Sequence, residues 1–166
     1  MTGALNLDPA YFRQVLSHLP TGVTVITGYG SDGPSGMAAN SVTSVSLEPP
    51  LVLFCPAHSS TTWPRIRQSG AFCINIMANN HEPLIRQFSL RDAQRFAGVE
   101  WEDRETGPAL QGAVGWIECR IQNEITAGDH MVVIGAVVGI EARSEVEPLV
   151  LCRGRYGSFQ YRSESS

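Results

Sequence analysis

The sequence predicts a mainly β fold, an antiparallel barrel with a few short helices. Short runs of β-branched and apolar residues recur along the chain, and turn residues separate them at regular intervals. The second half also holds long strand-like stretches, one of them with glycines inside it. Closing a barrel requires long, bent strands, and glycine allows such bends. These features favour a barrel over a β-sandwich or a βαβ array.

The first predicted element is a short helix near the N-terminus. Asp8 can act as its N-cap, and Pro9 takes the first helical position, where proline fits. Apolar residues follow at helical spacing: Phe12, Val15, Leu16 and Leu19. Pro20 and Gly22 end the helix, since neither residue favours its continuation.

Strands and turns fill the next segment. Residues 22–30 are β-branched, as in a strand, and residues 31–36 are rich in turn formers. Residues 37–47 form an extended stretch of small and hydroxyl-bearing side chains. A glutamate and two prolines at 48–50 break the chain, and the apolar run 51–55 fits a buried strand.

A short helix, a strand and a second helical segment are expected in the middle of the chain. Hydroxyl-bearing residues 59–61 precede the helix predicted at 62–70, which a glycine ends. Residues 71–77 alternate as in a strand, and residues 81–89 can form one or two helical turns. Residues 90–107 are polar and are predicted to be irregular.

The second half is rich in predicted strands. Residues 115–125 alternate between two sets of side chains, the period of a half-buried strand, with Trp116 among the polar set. A tight turn at 127–130 leads to a long strand at 130–142, whose internal glycines suggest bends or bulges. Two last short strands follow at 148–152 and 155–159.

The composition indicates one folded domain, residues 1–166. Hydrophobic residues make up 43% and charged residues 17% of the chain, which fits a globular protein and excludes a disordered one. Because a compact monomer carries about a quarter charged residues, we expect a second copy or a ligand to cover part of the surface. The net charge of −4 and the pI of 5.5 argue against binding to a nucleic-acid backbone.

The cysteines indicate a reducing compartment. They are Cys55, Cys73, Cys119 and Cys152. No two of them form a CxxC, and each lies in an apolar run, so we expect free thiols and no metal site. The N-terminus lacks the pattern of a signal peptide, and no apolar stretch reaches the ~20 residues of a membrane-spanning helix. The expected location is therefore cytoplasmic.

Two hydroxyl-rich segments on either side of strand 51–55 are candidate binding sites. In residues 36–44 small side chains leave room for a flat ligand, and Asn40 and Ser41 offer uncharged donors and acceptors. An ordinary strand fits that composition equally well. In residues 58–63, hydroxyl and free backbone N–H groups at a helix start can bind an anion, although the serines can also serve only as an N-cap.

His130 and residues 155–157 are further candidates. His130 follows Asp129 in a turn directly before an apolar strand, so its ring can face a ligand at the barrel rim; the alternative is a surface role. Residues 155–157, an Arg-Tyr-Gly run, can stack on or pair with a nucleotide, or complete the core. Rossmann, P-loop and serine-hydrolase motifs are absent from the sequence.

At these residues the sequence resembles a known family. The matching motifs are LPTGVTVIT (19–27), GMAANSVTSVSLEPPLVLFC (36–55), HSSTTW (58–63), SGAFCINIM (69–77), RFAG (95–98), AGDHMVVIGAV (127–137) and PLVLCRGRYGSF (148–159). In this order they resemble the short-chain flavin reductases of two-component flavin-dependent monooxygenases, in the flavin-reductase-like, FMN-binding split-barrel superfamily. The resemblance covers residues 12–159. Glu48 is a departure, since Asp more often precedes the two prolines.

The resemblance implies a homodimeric Greek-key split β-barrel with a flavin in the groove between subunits. It implies an NAD(P)H:flavin oxidoreductase that reduces free FAD (or FMN) by hydride transfer and supplies the reduced flavin to a partner monooxygenase. FAD is expected over FMN. NADH is expected over NADPH, because the sequence shows no arginine pair dedicated to a 2′-phosphate.

Two alternatives stay open beside this reading. A non-catalytic flavin-binding split-barrel protein would share the same hydroxyl-rich segments. A split-barrel oxidase acting on its own organic substrate would need a pocket with charged clamps, and the sequence shows no such cluster.

The resemblance also implies roles for individual residues. The isoalloxazine ring would be lined by Met37, Ala38, Ala39, Asn40 and Ser41. The ribityl chain and phosphate would be followed by Cys55, Ser59, Ser60 and Thr61. The nucleotide portion would be flanked by Arg95 and Phe96. The nicotinamide would be bordered by Arg155, Tyr156, Gly157 and His130, with His130 as an orienting or proton-relaying residue.

Overall fold

The computed structural model of the chain describes residues 7–91, 94–143 and 145–162. The helices in these ranges are α1 (Pro9–Leu16), α2 (Trp63–Ile66) with a 3-10 turn at Arg67–Ser69 directly after it, and α3 (Glu82–Ser89). The strands are β1 (Thr21–Gly22), β2 (Thr24–Gly30), β3 (Gly33–Ala39), β4 (Thr43–Leu47), β5 (Pro50–Phe54), β6 (Ala71–Ile76), β7 (Trp101–Glu102), β8 (Ala109–Leu110), β9 (Gly115–Ala127), β10 (His130–Ala142), β11 (Leu149–Cys152) and β12 (Arg155–Ser158). The prediction of a mainly β protein with a few short helices is confirmed.

Every strand pairing described is antiparallel. The main sheet has seven strands in the order β3-β2-β6-β9-β10-β5-β4, so β3 and β4 are its edges. A three-stranded sheet has the order β1-β11-β12, and β7 pairs with β8. Five pairs of consecutive strands are hairpin neighbours, namely β2-β3, β4-β5, β7-β8, β9-β10 and β11-β12.

α1 forms where the sequence predicts it. The Asp8 carboxylate accepts hydrogen bonds from the backbone N–H groups of Ala10 and Tyr11, both at 3.1 Å, and Pro9 is the first helical residue. The helix ends at Leu16, ahead of the predicted stop, and none of its residues is buried. Its apolar side chains therefore face outwards.

The turn predicted at 31–36 is shorter than expected. β2 and β3 pair without interruption from Thr24↔Ala39 to Gly30↔Gly33, so the loop consists of residues 31 and 32 alone. The composition of this segment indicates a turn, but strand pairing with β2 overrides it. The extended stretch at 37–47 is likewise two strands, β3 and β4, with a break between them.

β6 lies in the middle of the main sheet and is buried on both faces. The sequence predicts an alternating strand here, yet all residues from Ala71 to Asn75 are buried because side chains cover both sides of the sheet. The buried Asn75 amide is satisfied: Nδ2 donates to Val25 O and Thr27 Oγ1, both at 3.0 Å, and Oδ1 accepts from Leu110 N at 2.7 Å. These bonds join β8 to the sheet.

The β9–β10 hairpin contains the bulges that its glycines suggest. The register shifts between Ile134 and Gly135 and again between Val137 and Gly139. At Gly135 a Cβ atom would lie 2.6 Å from Phe72 Cζ, so only glycine lets the bent strand pack against this ring.

Trp116 is buried, although the alternation of residues 115–125 places it on the same face as the polar side chains of the strand. It is 3% exposed, and the guanidinium carbons of Arg104 and Arg143 each lie 5.1 Å from the centre of the indole ring. The alternation predicted for β9 fails here because residues from other elements cover the outer face as well.

The segment predicted to be irregular at 90–107 is partly ordered. β7 forms within it and pairs with β8. The Phe96 ring packs edge-on against Phe88 of α3 at 5.1 Å and against Trp101 at 5.2 Å between ring centres. These rings hold the segment against α3 and β3.

The described residues include no helix that is long and apolar enough to span a membrane. The cysteines are free, with Cys73 and Cys119 buried and Cys55 and Cys152 half-buried. Burial raises the pKa of the Cys73 and Cys119 thiols to about 12, so both stay protonated.

Candidate functional site

A groove runs along β3, at the edge of the main sheet. Four cavities of about 370, 360, 170 and 340 Å³ lie in order along β3 and the residue that follows it, from Pro34 to Asn40. They are called the first to the fourth cavity in this order, and together the groove. Neighbouring cavities share lining residues, so the groove is continuous: Thr61 and Thr62, then Ala38 and Ser89, then Asn40 and Leu151.

Arg95 is fixed in the wall of the first cavity. Its Nη1 donates to Gly36 O at 2.8 Å and to Thr62 Oγ1 at 2.6 Å, and its Nε donates to Leu90 O at 2.6 Å. These bonds connect β3, the segment before α2 and the end of α3. A guanidinium held in this way keeps its charge at the cavity without further ordering.

Two more arginines line the first cavity with Arg95. Arg65 and Arg91 are both exposed, and Arg65 makes an ion pair with Asp32 at 3.4 Å. Exposed pairs of this kind are weak, so they leave the arginine available. Three guanidinium groups around one cavity provide the charge and the donors that a phosphate group requires.

A side-chain amide holds the loop that carries Arg95 and Phe96. Gln87 of α3 donates through Nε2 to Arg95 O and Ala97 O, both at 2.9 Å. α3 therefore sets the position of two groove-lining side chains through one residue.

Hydroxyl groups line the second cavity. They belong to Ser59, Ser60, Thr61 and Thr62. Ser60 Oγ accepts from Thr62 N at 3.3 Å and from Trp63 N at 3.1 Å, and its hydroxyl lies 3.8 Å from Met37 Sδ. The N-cap residue of α2 is Thr62, and Ser60 accepts from its N–H and from that of the first helical residue, so a structural role of Ser60 at the helix start is compatible with a place in the cavity wall.

The third cavity is uncharged. Small residues of β3, Ala38 and Ala39, line it together with Asn40 and the Tyr156 ring of β12. Such a surface lets a flat ring approach the backbone closely and stack against an aromatic side chain.

Ser41 and Cys55 connect two strands instead of lining the groove. Ser41 Oγ accepts from Cys55 N at 2.8 Å, which ties the chain after β3 to the end of β5. Burial raises the pKa of the Cys55 thiol. Neither residue is among those that line the four cavities.

His130 lies at the start of β10, beside the second cavity. Its Nδ1 is 2.7 Å from Asp129 Oδ1. A carboxylate only accepts, so Nδ1 carries the proton and Nε2 is left for another partner. This hydrogen bond lowers the pKa of the Asp129 carboxyl. Backbone pairing with Ala57, which lines the second cavity, fixes the position of His130.

Most of the predicted site residues meet in the groove. Those that line it are Met37, Ala38, Ala39, Asn40, Ser59, Ser60, Thr61, Arg95, Phe96 and Tyr156. Gly157 lines a side cavity of about 270 Å³ on the other side of Tyr156. Ser41, Cys55, His130 and Arg155 do not line these cavities.

Several groove residues are not among those that the sequence predicts for the site. They include Arg65, Arg91, Phe88 and Ser89, while Thr62 lies inside the candidate segment 58–63. Ser89 is the last residue of an amphipathic helical run, and the arginines stand in polar segments, where an exposed charge is ordinary. The sequence shows no cluster of charged residues because Arg65 and Arg95 are far apart along the chain. Folding brings both arginines to the same cavity.

Comparison with known proteins identifies relatives of this chain. The family model for the flavin reductase like domain matches residues 16–160. A flavin reductase of Pseudomonas putida is 43% identical over 155 residues, which is 92% of this chain and 91% of the relative.

Two solved structures resemble the fold closely. Nitrilotriacetate monooxygenase component B from Mycobacterium thermoresistibile has a TM-score of 0.88 and 36% identity, covering 97% of this chain and 96% of that one. The NADH:FAD oxidoreductase of Streptomyces globisporus in complex with NAD and FAD fragments has a TM-score of 0.87 and 34% identity, covering 96% of each chain. The family model spans most of this sequence, and the chain therefore belongs to the flavin reductase-like family.

Proposed function

We propose that this chain is an NAD(P)H:flavin oxidoreductase that reduces free FAD (or FMN) by hydride transfer and supplies the reduced flavin to a partner monooxygenase. The observation that carries the proposal is the groove, whose uncharged centre of small residues continues into a cavity lined by three arginines. The structural relatives that are named as a monooxygenase component and as an NADH:FAD oxidoreductase support the same reaction and the same kind of partner.

The residues of the groove fit a flavin. Ala38, Ala39 and Asn40 would lie along the isoalloxazine ring, with Met37 beside them. The hydroxyl groups of residues 59–61 would meet the ribityl chain and phosphate, and Arg95 with Phe96 would flank the nucleotide portion. Ser41 and Cys55 would act by fixing the chain after β3, through the bond between them.

The chain contributes binding and orientation to the reaction. A bound flavin supplies the hydride acceptor, its N5 atom, and the nicotinamide supplies the donor. The small side chains of β3 would allow both rings to stack, and stacking in a fixed geometry lowers the entropic barrier to transfer. His130 would orient a substrate group or relay a proton through Nε2, since Asp129 holds Nδ1. Tyr156 with Arg155 and Gly157 would border the nicotinamide.

The proposal also includes the domain organisation, the type of barrel and the oligomeric state. The whole chain, residues 1–166, would form one flavin reductase-like domain, a Greek-key split barrel that works as a homodimer. Exposed apolar side chains support the dimer, because large apolar patches are otherwise rare on monomers. Phe12 and Val15 of α1 are 55% and 49% exposed, and Leu47 of β4 is 88% exposed.

A steady-state assay tests the activity. Purified protein is given NADH or NADPH, with and without FAD or FMN, and the loss of reduced coenzyme is followed by absorbance. We expect oxidation that depends on added flavin, with FAD and NADH as the better pair. Reduction of cytochrome c placed behind a dialysis membrane reports whether reduced flavin leaves the protein.

A non-catalytic flavin-binding protein would behave differently in these measurements. Its flavin would copurify and would not be bleached by NADH under anaerobic conditions. Oxidation of NADH at the same rate with and without flavin would contradict the proposed function.

A further inference from the structure

The groove carries arginines at both of its ends. The fourth cavity, at the Asn40 end, is lined by Arg13 of α1 and Arg153 of the turn between β11 and β12. The first cavity, at the Pro34 end, is lined by the three arginines described above. No charged residue lines the third cavity between them.

The separation of the two ends matches what two reacting nucleotides need. The chain advances by about 3.3 Å per residue along a strand, so β3 places Pro34 and Asn40 about 20 Å apart. Two anionic nucleotides that react ring to ring must keep their phosphates apart, because like charges repel. The cationic groups at the two ends of the groove would hold the phosphates apart, and the uncharged centre would leave room for the two rings to meet.

We propose that Arg13 and Arg153 bind a phosphate group of the nicotinamide dinucleotide, while the arginines of the first cavity bind the phosphate of the flavin. The inference rests on the proposed function, since it needs a nicotinamide ring at the centre of the groove. It assigns the fourth cavity to the coenzyme and makes these two arginines determinants of coenzyme affinity.

The backbone holds Arg153 in place but does not require an arginine there. Arg153 N donates to Ser17 O at 2.7 Å, which fixes the turn against the end of α1. Its φ of 51° lies in the left-handed region, which glycine or asparagine adopts more easily. The conformation of the turn therefore gives no reason for an arginine at this position.

Both arginines are available for a ligand. Among the described residues, no carboxylate forms an ion pair with Arg13 or Arg153. Both side chains belong to exposed residues, and the cavity between them also offers the hydroxyl-bearing Ser17. A phosphate placed there would gain charge-assisted bonds without first breaking an ion pair.

The test uses the full chain with Arg13→Gln, Arg153→Asn and the double substitution. Asparagine tolerates the left-handed backbone of the turn, so Arg153→Asn removes the charge and keeps the conformation. Arg162→Gln is the matched control, since Arg162 is exposed and lines none of the four cavities. Thermal melts verify that each variant is folded.

We expect each single substitution to raise the KM for the coenzyme by about tenfold, the loss of one charge-assisted bond, and the double substitution to raise it further. The kcat, the dissociation constant of the flavin and the control variant should change less than about twofold. Assays with NADH, NADPH and reduced nicotinamide mononucleotide identify the phosphate. If the KM rises for NADPH alone, the two arginines bind the 2′-phosphate. If the KM rises for both dinucleotides, they bind the pyrophosphate.

Calorimetric titration with NADH and NADPH in the absence of flavin separates this inference from the proposed function. The wild-type protein could bind coenzyme without showing flavin-dependent turnover. If the double substitution then weakens this binding, the inferred coenzyme site is supported and the proposed reaction is contradicted. Unchanged coenzyme binding and KM in the double variant would overturn the inference. The inference would also be overturned if the double variant bound flavin more weakly but bound the coenzyme as the wild type does.

Discussion

Asn75 shows how one buried side chain can join segments that are far apart in sequence. Its amide contacts β2 and β8 at the same time, and Thr27 extends the network by donating to Pro108 O at 2.6 Å. Each of these polar groups lies away from water, so each depends on its partner inside the protein. The alternation of the strand does not reveal this role, because it places Asn75 on the face opposite Phe72 and Ile74, where a polar side chain in contact with solvent is expected.

Replacing Asn75 by alanine should destabilise the protein by about 2–4 kcal/mol, since it leaves buried donors and acceptors unpaired and opens a cavity. Urea denaturation followed by circular dichroism measures the free energy of unfolding. Asn80→Ala is the matched control, because Asn80 is exposed, and its effect should stay within about 0.5 kcal/mol. Equal effects of the two substitutions would contradict the assigned network.

At the scale of elements, α3 and the loop after it form one wall of the groove. Gln87 holds the loop through two carbonyl groups, Phe88 packs against Phe96, and a Cβ atom on Gly36 would lie 2.6 Å from the Phe88 ring. The position of Arg95 therefore depends on the packing of a helix against a glycine of the edge strand.

Gln87→Glu should weaken flavin binding by about tenfold, because a carboxylate cannot donate to the two carbonyl groups and repels them. Titration of the change in flavin fluorescence measures the dissociation constant. Gln122→Glu makes the same chemical change at an exposed position of β9 and should leave binding unaltered. If the Gln87 variant binds flavin as tightly as the wild type, the loop does not depend on this clamp.

The elements that the sequence predicts well are those whose signals are local. Asp8 and Pro9 start α1 as expected, and the bulges at Gly135 and Gly139 follow from residues within the strand itself. Trp116, Arg65 and Arg91 behave differently, because their environment is created by segments that are distant in the chain. Much of the small-residue and hydroxyl part of the groove, together with Arg95, can be predicted from sequence motifs, while the other arginines of the groove require the fold.

At the scale of the whole molecule, α1 carries more exposed large apolar residues than any other described element: Tyr11, Phe12, Val15 and Leu16. α1 has no buried residue although its sequence is amphipathic, so the described part of the chain covers its apolar side only in part. A second copy would cover this side and would account for the low content of charged residues.

Val15→Asp should weaken a dimer by about tenfold or more, because it places a charge in the proposed apolar contact. Light scattering after size-exclusion chromatography, over a range of concentrations, reports the molecular mass. Val138→Asp introduces the same charge at a valine of β10 that is similarly exposed, 56% against 49%, and should leave the mass unchanged. A wild-type protein that stays monomeric at all concentrations would contradict the dimer.

The edge position of β3 has a consequence for the behaviour of the protein in a crowded solution. An unpaired strand edge is a place where a strand from another molecule can add, and repeated addition leads to aggregation. Here Arg95 donates to the carbonyl oxygen of Gly36 and so occupies one hydrogen-bond acceptor of this edge. A contact that shapes the wall of the groove is therefore also one that a strand from another molecule would have to displace before it could pair with β3 at this position.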